Sequence, residues 1–452
     1  MTLIIGMSIT FFFLVYSVVN GIFVGLPLAA GFLIFAGIAR THGFAWREIL
    51  KMSYEGGKRA YIVLIIFILI GAITGVWMSA GTVPGVVYYG IQLINPKFFV
   101  LYAFVLSAMV SFLLGTSLGT VGTVGIALIV MAKSGSVNPD IAAGAIIAGA
   151  YFGDRCSPMS SSANLVANLT GTSLFQNIKI MFKTGFWPLL VSIGLFGLLS
   201  LSQPLSFTGV SIDYDIARTF DLRSFVLLPA AIILLLSAFK VNVRLSMLLS
   251  ILAAIVVSVA VQGYSLPEVL KFSVTGFDLP PANPLAAILN GGGILSMWKA
   301  AFVVYVSCAL AGIFQDTNLL SGIETFFSRP KSRSGLFLNT TAVSLLTGAI
   351  GCNQSIATVL TNHIMTKAYR ARQLDQTEIA ADLENTGIVL SALIPWNLAS
   401  FVPTLTLGVS STHYIPYAFY LYLLPVMTFM ALKLKENTRG NTRGTVPNDF
   451  LS

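Results

Sequence analysis

The sequence predicts an all-α polytopic membrane protein, built as two inverted-topology repeats whose broken helices meet near the bilayer midplane. Three observations carry that expectation. The chain of 452 residues is 56% hydrophobic and only 10% charged, whereas soluble domains carry about 25% charged residues. So little charge cannot cover a water-exposed surface. Apolar runs recur at the roughly 17–25 residues needed to cross a bilayer. The chain also contains itself twice. The stretch Gly43–Gly56 recurs as Gly263–Gly276, an offset of 220 (263 − 43). Asp140-Ile-Ala-Ala143 recurs as Glu378-Ile-Ala-Ala381, an offset of 238 (378 − 140), and Pro158 as Pro395, an offset of 237 (395 − 158).

Taken in order, Met1–Val19 is apolar without a basic start or a small-residue cleavage site, which predicts a retained first helix. Further spans are expected at about 22–39, 60–80, 98–114, 115–132, 139–172, 184–203, 224–239, 245–262, 291–314, 334–352, 353–369, 377–411 and 414–433. Two of these, 139–172 and 377–411, are too long for one straight crossing. Each holds a proline near its middle, which predicts a broken helix or a crossing plus a re-entrant piece. The organisation expected is an extra helix at 1–21, a first repeat at 22–203, a linker with a connecting helix at 204–244, a second repeat at 245–433 and a polar cytoplasmic tail at 434–452.

With the N-terminus inside, 19 of the 26 Lys and Arg fall in cytoplasmic segments and 5 outside; Arg155 and Lys299 fall within spans. Cytoplasmic loops carry such an excess. The two copies of the Gly-to-Gly stretch then land on opposite sides, so the repeats are expected to be inverted, as in many secondary transporters. The net charge of +9 belongs to those loops rather than to a nucleic-acid surface. Three cysteines without a CxxC pair predict neither a disulfide framework nor a metal centre. The absence of a His cluster and of a strand–turn–Ser elbow argues against a membrane enzyme, and no cofactor is expected.

The chemistry concentrates at the breaks. In Gly149-Ala-Tyr-Phe-Gly-Asp-Arg-Cys-Ser-Pro158 the acid Asp154 follows an uncharged stretch. A carboxylate at the bilayer centre costs about 2.5–3.5 kcal/mol on insertion scales. Pro158 frees the carbonyl of Asp154, four residues earlier. With Ser157, Ser160, Ser161, Ser162 and Asn164 it forms an oxygen-rich cluster of the kind hard cations want. The alternative is an ion pair between Asp154 and an arginine. Arg155 points elsewhere on the helix and suits a structural ion pair or an anionic solute. At the second break Glu384 lies too far from Pro395 to share its own break, but an antiparallel half can bring it to the first. Asn385, Thr386 and Asn397 complete the candidate ion-binding set, and Asp382 reads as a cytoplasmic-end charge. Gly115–Gly125 places Thr116 and Thr120 at helical spacing, and Gly351–Ser355 offers Asn353 and Gln354 as its counterpart. Both suit close helix packing as well as ligation. Asp316 is a further accessory candidate.

Three of these stretches resemble the NhaC-type sodium/proton antiporter family: Gly115–Gly125, Gly144–Pro158, and Ile394-Pro-Trp-Asn397 followed by Tyr417-Ala-Phe-Tyr420. The resemblance spans most of residues 20–430. It implies a bacterial cytoplasmic-membrane antiporter with both termini inside, exchanging Na⁺ for H⁺, with Asp154 as the Na⁺ ligand and Glu384 assisting or relaying protons. The chain departs from the family where it has Ser161, Asn385 and Gln315 in place of acids. The family also includes exchangers of organic acids. A Na⁺- or H⁺-coupled carrier of a small organic acid or amino acid is therefore the second expectation.

Overall fold

The computed structural model describes residues 2–206, 212–317 and 332–443. Among them every regular element is helical, and strand pairing is limited to an isolated bridge between Phe277 and Gly291. In hydrocarbon the backbone must satisfy its own hydrogen bonds, which favours helices. The first ten helices are α1 Thr2–Val19, α2 Gly25–Thr41, α3 Trp46–Lys58, α4 Tyr61–Ser79, α5 Thr82–Leu93, α6 Phe99–Leu114, α7 Ser117–Ser134, α8 Pro139–Cys156, α9 Ser161–Thr170 and α10 Leu174–Ser202. They are followed by α11 Ile212–Thr219, α12 Leu228–Ala238, α13 Val243–Ala260, α14 Leu266–Thr275, α15 Trp298–Thr317, α16 Arg333–Gly351, α17 Gln354–Ala371, α18 Gln376–Leu393, α19 Leu398–Leu407 and α20 Phe419–Arg443. Among the described residues, seven are long and apolar enough to cross a membrane, or nine if each sharply bent pair is one span. The molecule is a multi-span membrane protein.

The two long stretches are interrupted where proline stands. α8 ends at Cys156 and α9 begins at Ser161; α18 ends at Leu393 and α19 begins at Leu398, bent by 48°. The expected polar tail differs from the structure in its first part: α20 runs on through Arg443.

Element boundaries recur at a constant offset of 237. Gly115 and Cys352 (352 − 115) are the left-handed residues that end α6 and α16. Thr116 and Asn353 then cap α7 and α17. Ser160 and Asn397 cap α9 and α19, which end on the left-handed Gly171 and Gly408. Earlier in the chain the offset is 220: Glu48 accepts from the amide of Ala45 at 2.7 Å and Glu268 from that of Ser265 at 2.9 Å, each fixing the first turn of α3 or α14. The difference of 17 residues (237 − 220) is taken up by the longer connection between α14 and α15. The match of Asp140 with Glu378, at 238, is therefore one residue out of register. Asp154 corresponds to Ser391 at the 237 offset, so its acid has no acidic equivalent in the second half.

Contacts between the halves are reciprocal. A Cβ on Gly312 of α15 would lie 2.3 Å from the carbonyl oxygen of Met52 on α3; one on the equivalent Gly75 of α4 would lie 2.2 Å from that of Phe272 on α14. Residue i touching j′ while j touches i′ is the contact pattern of a two-fold relation. Small residues also close the α6–α8 interface. A Cβ on Gly149 would be 2.3 Å from the carbonyl oxygen of Phe104, and one on Gly153 would be 2.4 Å from the amide nitrogen of Phe112.

Backbone faces backbone at Gly153, so a larger residue there must drive α6 and α8 apart, and overpacking costs about 1–3 kcal/mol or more. Gly153→Val is expected to lose the monodisperse peak or melt earlier in fluorescence-detected size exclusion. Gly194→Val on α10, where a Cβ meets nothing within 4 Å, is expected to behave as wild type. Equal behaviour of the two variants would contradict the packing account.

Candidate functional site

Asp154 is 5% exposed and lies two residues before the end of α8. Its carboxylate accepts from three hydroxyls: Ser160 Oγ at 2.8 Å, Ser117 Oγ at 2.9 Å and Ser162 Oγ at 3.2 Å. Each donor is delivered by a helix start. α6 stops at the left-handed Gly115 (φ +66°), and a glycine in that conformation ends a helix at little cost. Thr116, in extended conformation, then accepts from the amide of Gly119 at 3.4 Å and restarts the chain as α7, with Ser117 as its first residue. The α8 break ends in the same way, with Ser160 Oγ accepting from the amides of Ser162 and Ala163, both at 3.1 Å. Asp154 therefore faces the positive ends of α7 and α9.

A cavity of about 380 Å³ opens onto this carboxylate. Thr116 and Ser117 line it from α7, with Asn353, Gln354 and Ser355 at the equivalent start of α17. Ser161 and Ser162 line it from α9, and Leu398 and Ala399 from the equivalent start of α19. Arg59, Tyr151 and Cys308 complete the polar wall. Tyr151 donates to the carbonyl of Ala399 at 2.8 Å, which ties the first turn of α19 to α8. Irregular backbone inside a membrane is tolerated where it lines such a cavity. A second cavity of about 210 Å³ lies against the other end of α19, at Leu405–Gly408, where Lys133 Nζ donates to the carbonyl of Leu407 at 3.1 Å. α4 likewise meets the first cavity at Ile62 and Ile66 and the second at Thr74 and Met78.

The expected residues separate into groups. Asp154, Thr116, Ser161, Asn353 and Gln354 line the cavity, and Ser160 bonds to Asp154 behind it. Ser157 accepts from the amide of Met159, and Asn164 donates to the carbonyl of Ser160; both serve the turn. Thr120 is buried and back-bonds to the carbonyl of Thr116 at 2.9 Å. Asn397 caps α19 and donates to the carbonyl of Gly348, and Thr386 donates to the carbonyl of Asp382. The side chain of Asp316 lies outside the described residues. Asp382 is 2% exposed and is clasped by Arg333, with N–O distances of 2.7 and 3.0 Å, and by the Tyr369 hydroxyl. It was expected as a cytoplasmic-end charge, and the structure places it as a buried acid in an ion pair. Ser117, Tyr151, Arg59 and Cys308 were not expected. The Gly-Thr pair before Ser117 was the sign available for the first, because glycine then threonine is a helix stop followed by a helix cap.

Arg155 does not line the cavity. It is fully buried and donates to Met181 O at 3.1 Å, Tyr420 Oη at 3.0 Å, Thr184 Oγ1 at 2.9 Å and Asn385 Oδ1. The expected structural ion pair is thus a set of neutral acceptors on α10, α18 and α20. Gly185 makes room for the guanidinium: a Cβ there would lie 2.9 Å from Arg155 Nη1. Glu384 is also fully buried, and neither of its oxygens has a hydrogen-bond partner. It lies within electrostatic reach of Arg155 and Asp154.

The site is a carboxylate bearing hydroxyl ligands, at the meeting of two equivalent helix breaks, open to one cavity and closed from another. A protein of Alkalihalophilus pseudofirmus described as the Na⁺/H⁺ antiporter NhaC is 29% identical over 438 residues, 93% of each chain. A Haemophilus influenzae protein described as an uncharacterized Na⁺/H⁺ antiporter is 29% identical over 401 residues, 86% of this chain and 85% of its own. The malate-2H⁺/Na⁺-lactate antiporter of Bacillus subtilis is 27% identical over 385 residues, 83% of this chain and 81% of its own. The profile of the Na⁺/H⁺ antiporter family matches residues 149–434, which include both helix breaks, Asp154 and Glu384. The chain belongs to the Na⁺/H⁺ antiporter family, and it is a secondary transporter.

Proposed function

We propose that the protein exchanges Na⁺ for H⁺ across a bacterial cytoplasmic membrane by alternating access, with both termini in the cytoplasm. The observation that carries this reading is the Asp154 carboxylate held by Ser117, Ser160 and Ser162 at the floor of the 380 Å³ cavity. A hydroxyl both donates and accepts. Without an ion the three hydroxyls donate to the carboxylate. When Na⁺ arrives they rotate and offer lone pairs, and the carboxylate supplies the charge. A proton on Asp154 removes that charge, so one carboxylate serves Na⁺ and H⁺ in turn. Competition at a single group is sufficient for exchange.

The reciprocal Gly312–Met52 and Gly75–Phe272 contacts support two halves related by an axis in the membrane plane. The charge bias of the loops supports the orientation. In this conformation α19 separates the two cavities. Alternating access requires the Asp154 cavity to close while the one near Lys133 opens.

A second reading rests on the size and sign of the same cavity. At about 380 Å³ it is within the range of small-molecule sites, about 300–1,000 Å³. Arg59 and the starts of four helices face it, against the single carboxylate of Asp154. That balance suits a small organic anion travelling with the cation.

Purified protein in sealed liposomes containing a pH dye is expected to show saturable internal alkalinisation when Na⁺ is added outside, and Asp154→Asn is expected to abolish it. Full activity in that variant would remove Asp154 from the mechanism. A silent wild type that shows counterflow of a small carboxylate would transfer the assignment to the second reading.

The hydroxyls allow a finer test. A hydrogen bond to a charged group contributes about 1.5–3 kcal/mol, so Ser117→Ala and Ser160→Ala should each raise the Na⁺ concentration for half-maximal exchange about tenfold or more. Asn164→Ala and Thr120→Ala, which change no Asp154 contact, should stay within about twofold. Equal effects across the four variants would show that the hydroxyls act through the fold rather than on the ion.

A further inference from the structure

The repeat supplies an internal comparison at the edge of the molecule. α3, at 13 residues, is too short to cross a bilayer. Ile49, Ser53, Gly56 and Gly57 form its buried face. Gly56 seats it on α15: a Cβ there would lie 2.4 Å from the carbonyl oxygen of Cys308. The outer face is ordered. At 3.6 residues per turn, Trp46, Leu50 and Tyr54 make one strip, and all three are more than half exposed. Arg47, Lys51 and Lys58 make the next strip round the helix, and Glu48 and Glu55 the one beyond. The order around the helix is therefore buried, apolar and aromatic, basic, acidic.

Contact with water alone gives no reason for that order. An apolar strip bordered by cations is the pattern of a helix lying in a membrane surface, with its apolar residues among acyl chains and its Lys and Arg at the phosphates. Tryptophan and tyrosine favour the same depth. Lys58 is paired with Glu55 at 2.8 Å and stands over the Tyr54 ring. Arg47 and Lys51 are exposed, and neither side chain is hydrogen-bonded or ion-paired to another described residue.

α14, 220 residues further on, repeats the scaffold without the charge. Leu266, Leu270 and Val274 keep the exposed apolar strip, and Glu268 keeps the contact that fixes the first turn. Pro267 stands in place of Arg47 and Asp278 in place of Lys58, leucine and valine stand in place of Trp46 and Tyr54, and Lys271 alone matches a basic residue. Residues 40–59 carry five basic and two acidic residues, and residues 260–279 carry one basic and two acidic. Both helices thus keep the apolar strip, and α3 alone borders it with cations. We propose that α3 is a docking surface for anionic phospholipid, with Trp46, Leu50 and Tyr54 set among the acyl chains and Arg47 and Lys51 on the headgroup phosphates. The chain passes from α3 straight to Arg59, which lines the Asp154 cavity. A lipid-held α3 therefore fixes that wall of the cavity against the headgroup layer.

The surface is tested without transport, on the full chain in micelles of a neutral detergent. Energy transfer from tryptophan to a dansyl-labelled phospholipid reports lipid at the protein. Dansyl phosphatidylglycerol is expected to saturate at a lower lipid fraction than dansyl phosphatidylcholine, and Trp46→Phe is expected to remove part of the signal. Each Lys or Arg at an anionic surface contributes about fivefold in binding, so Arg47→Gln with Lys51→Gln is expected to raise the half-saturating fraction of phosphatidylglycerol about tenfold or more. Lys97→Gln with Lys271→Gln removes two exposed charges elsewhere and is expected to stay within about twofold. Soluble glycerol phosphate is expected not to displace the lipid. Equal curves for the two lipids, or equal effects of the two double variants, would overturn the proposal. Displacement by glycerol phosphate would also overturn it, leaving a phosphate site that needs no membrane. A dimer in light scattering that Arg47→Gln with Lys51→Gln dissociates, with no preference between the lipids, would overturn it in favour of a second copy of the chain.

Discussion

Inside a membrane, a chain that leaves the helix must find other partners for its backbone amides and carbonyls, and much of this protein follows from how it meets that demand. The chain restarts at four places with a polar cap: Thr116, Ser160, Asn353 and Asn397. Each cap satisfies the first amides of a new helix, and each is brought to the others by the fold. Two of these caps, Thr116 and Asn353, line the cavity together with the first residues of all four restarted helices. Asp154 is placed where the hydroxyls of Ser117, Ser160 and Ser162 and the positive ends of α7 and α9 converge.

The same economy of polar partners extends to the helix packing. Glycine at Gly56, Gly75, Gly149, Gly153 and Gly312 lets backbones meet directly, so tight packing needs few polar contacts. Among the described residues the half-buried ion pairs include Arg333 with Asp382 and Glu378. Arg155 and Glu384 depart from this pattern. One is a buried cation on neutral acceptors and the other a buried acid on none. Asp154, by contrast, is fully supplied with donors. The two acids are alike in burial and differ in the donors around them.

The architecture was largely legible in the sequence. Length and hydropathy suggested fourteen spans, of which seven among the described residues are helices long and apolar enough to cross a membrane, or nine if each bent pair is one span, and the prolines at 158 and 395 stand at the two interruptions. The duplicated motif was visible at Gly43–Gly56 and Gly263–Gly276, but the register of the later repeat was read one residue out at Glu378, because a short apolar match cannot fix a register that caps and left-handed residues do fix. Asp154 and its serines were legible because an acid among hydroxyls is rare in an apolar chain. Ser117 was missed: threonine spacing suggested one continuous helix across Gly115–Gly125, whereas Gly115 turns left-handed and Thr116 is extended. Arg155 was expected to find an acid or a solute and instead found Asn385, Thr184, Tyr420 and a carbonyl, since neutral acceptors spread over three helices leave no pattern in one sequence. Asn397 was read as a candidate ligand, and its amide accepts from Ala399 N and donates to the carbonyl of Gly348.

The central claim is that Na⁺ and H⁺ compete for one carboxylate. Direct binding of radioactive Na⁺ to the purified protein over a range of pH tests it without reference to flux. The account predicts saturable binding whose apparent Kd rises about tenfold for each unit of acidification once the site begins to protonate, the linkage expected for one proton against one ion. Saturable Na⁺ binding that is indifferent to pH would contradict it.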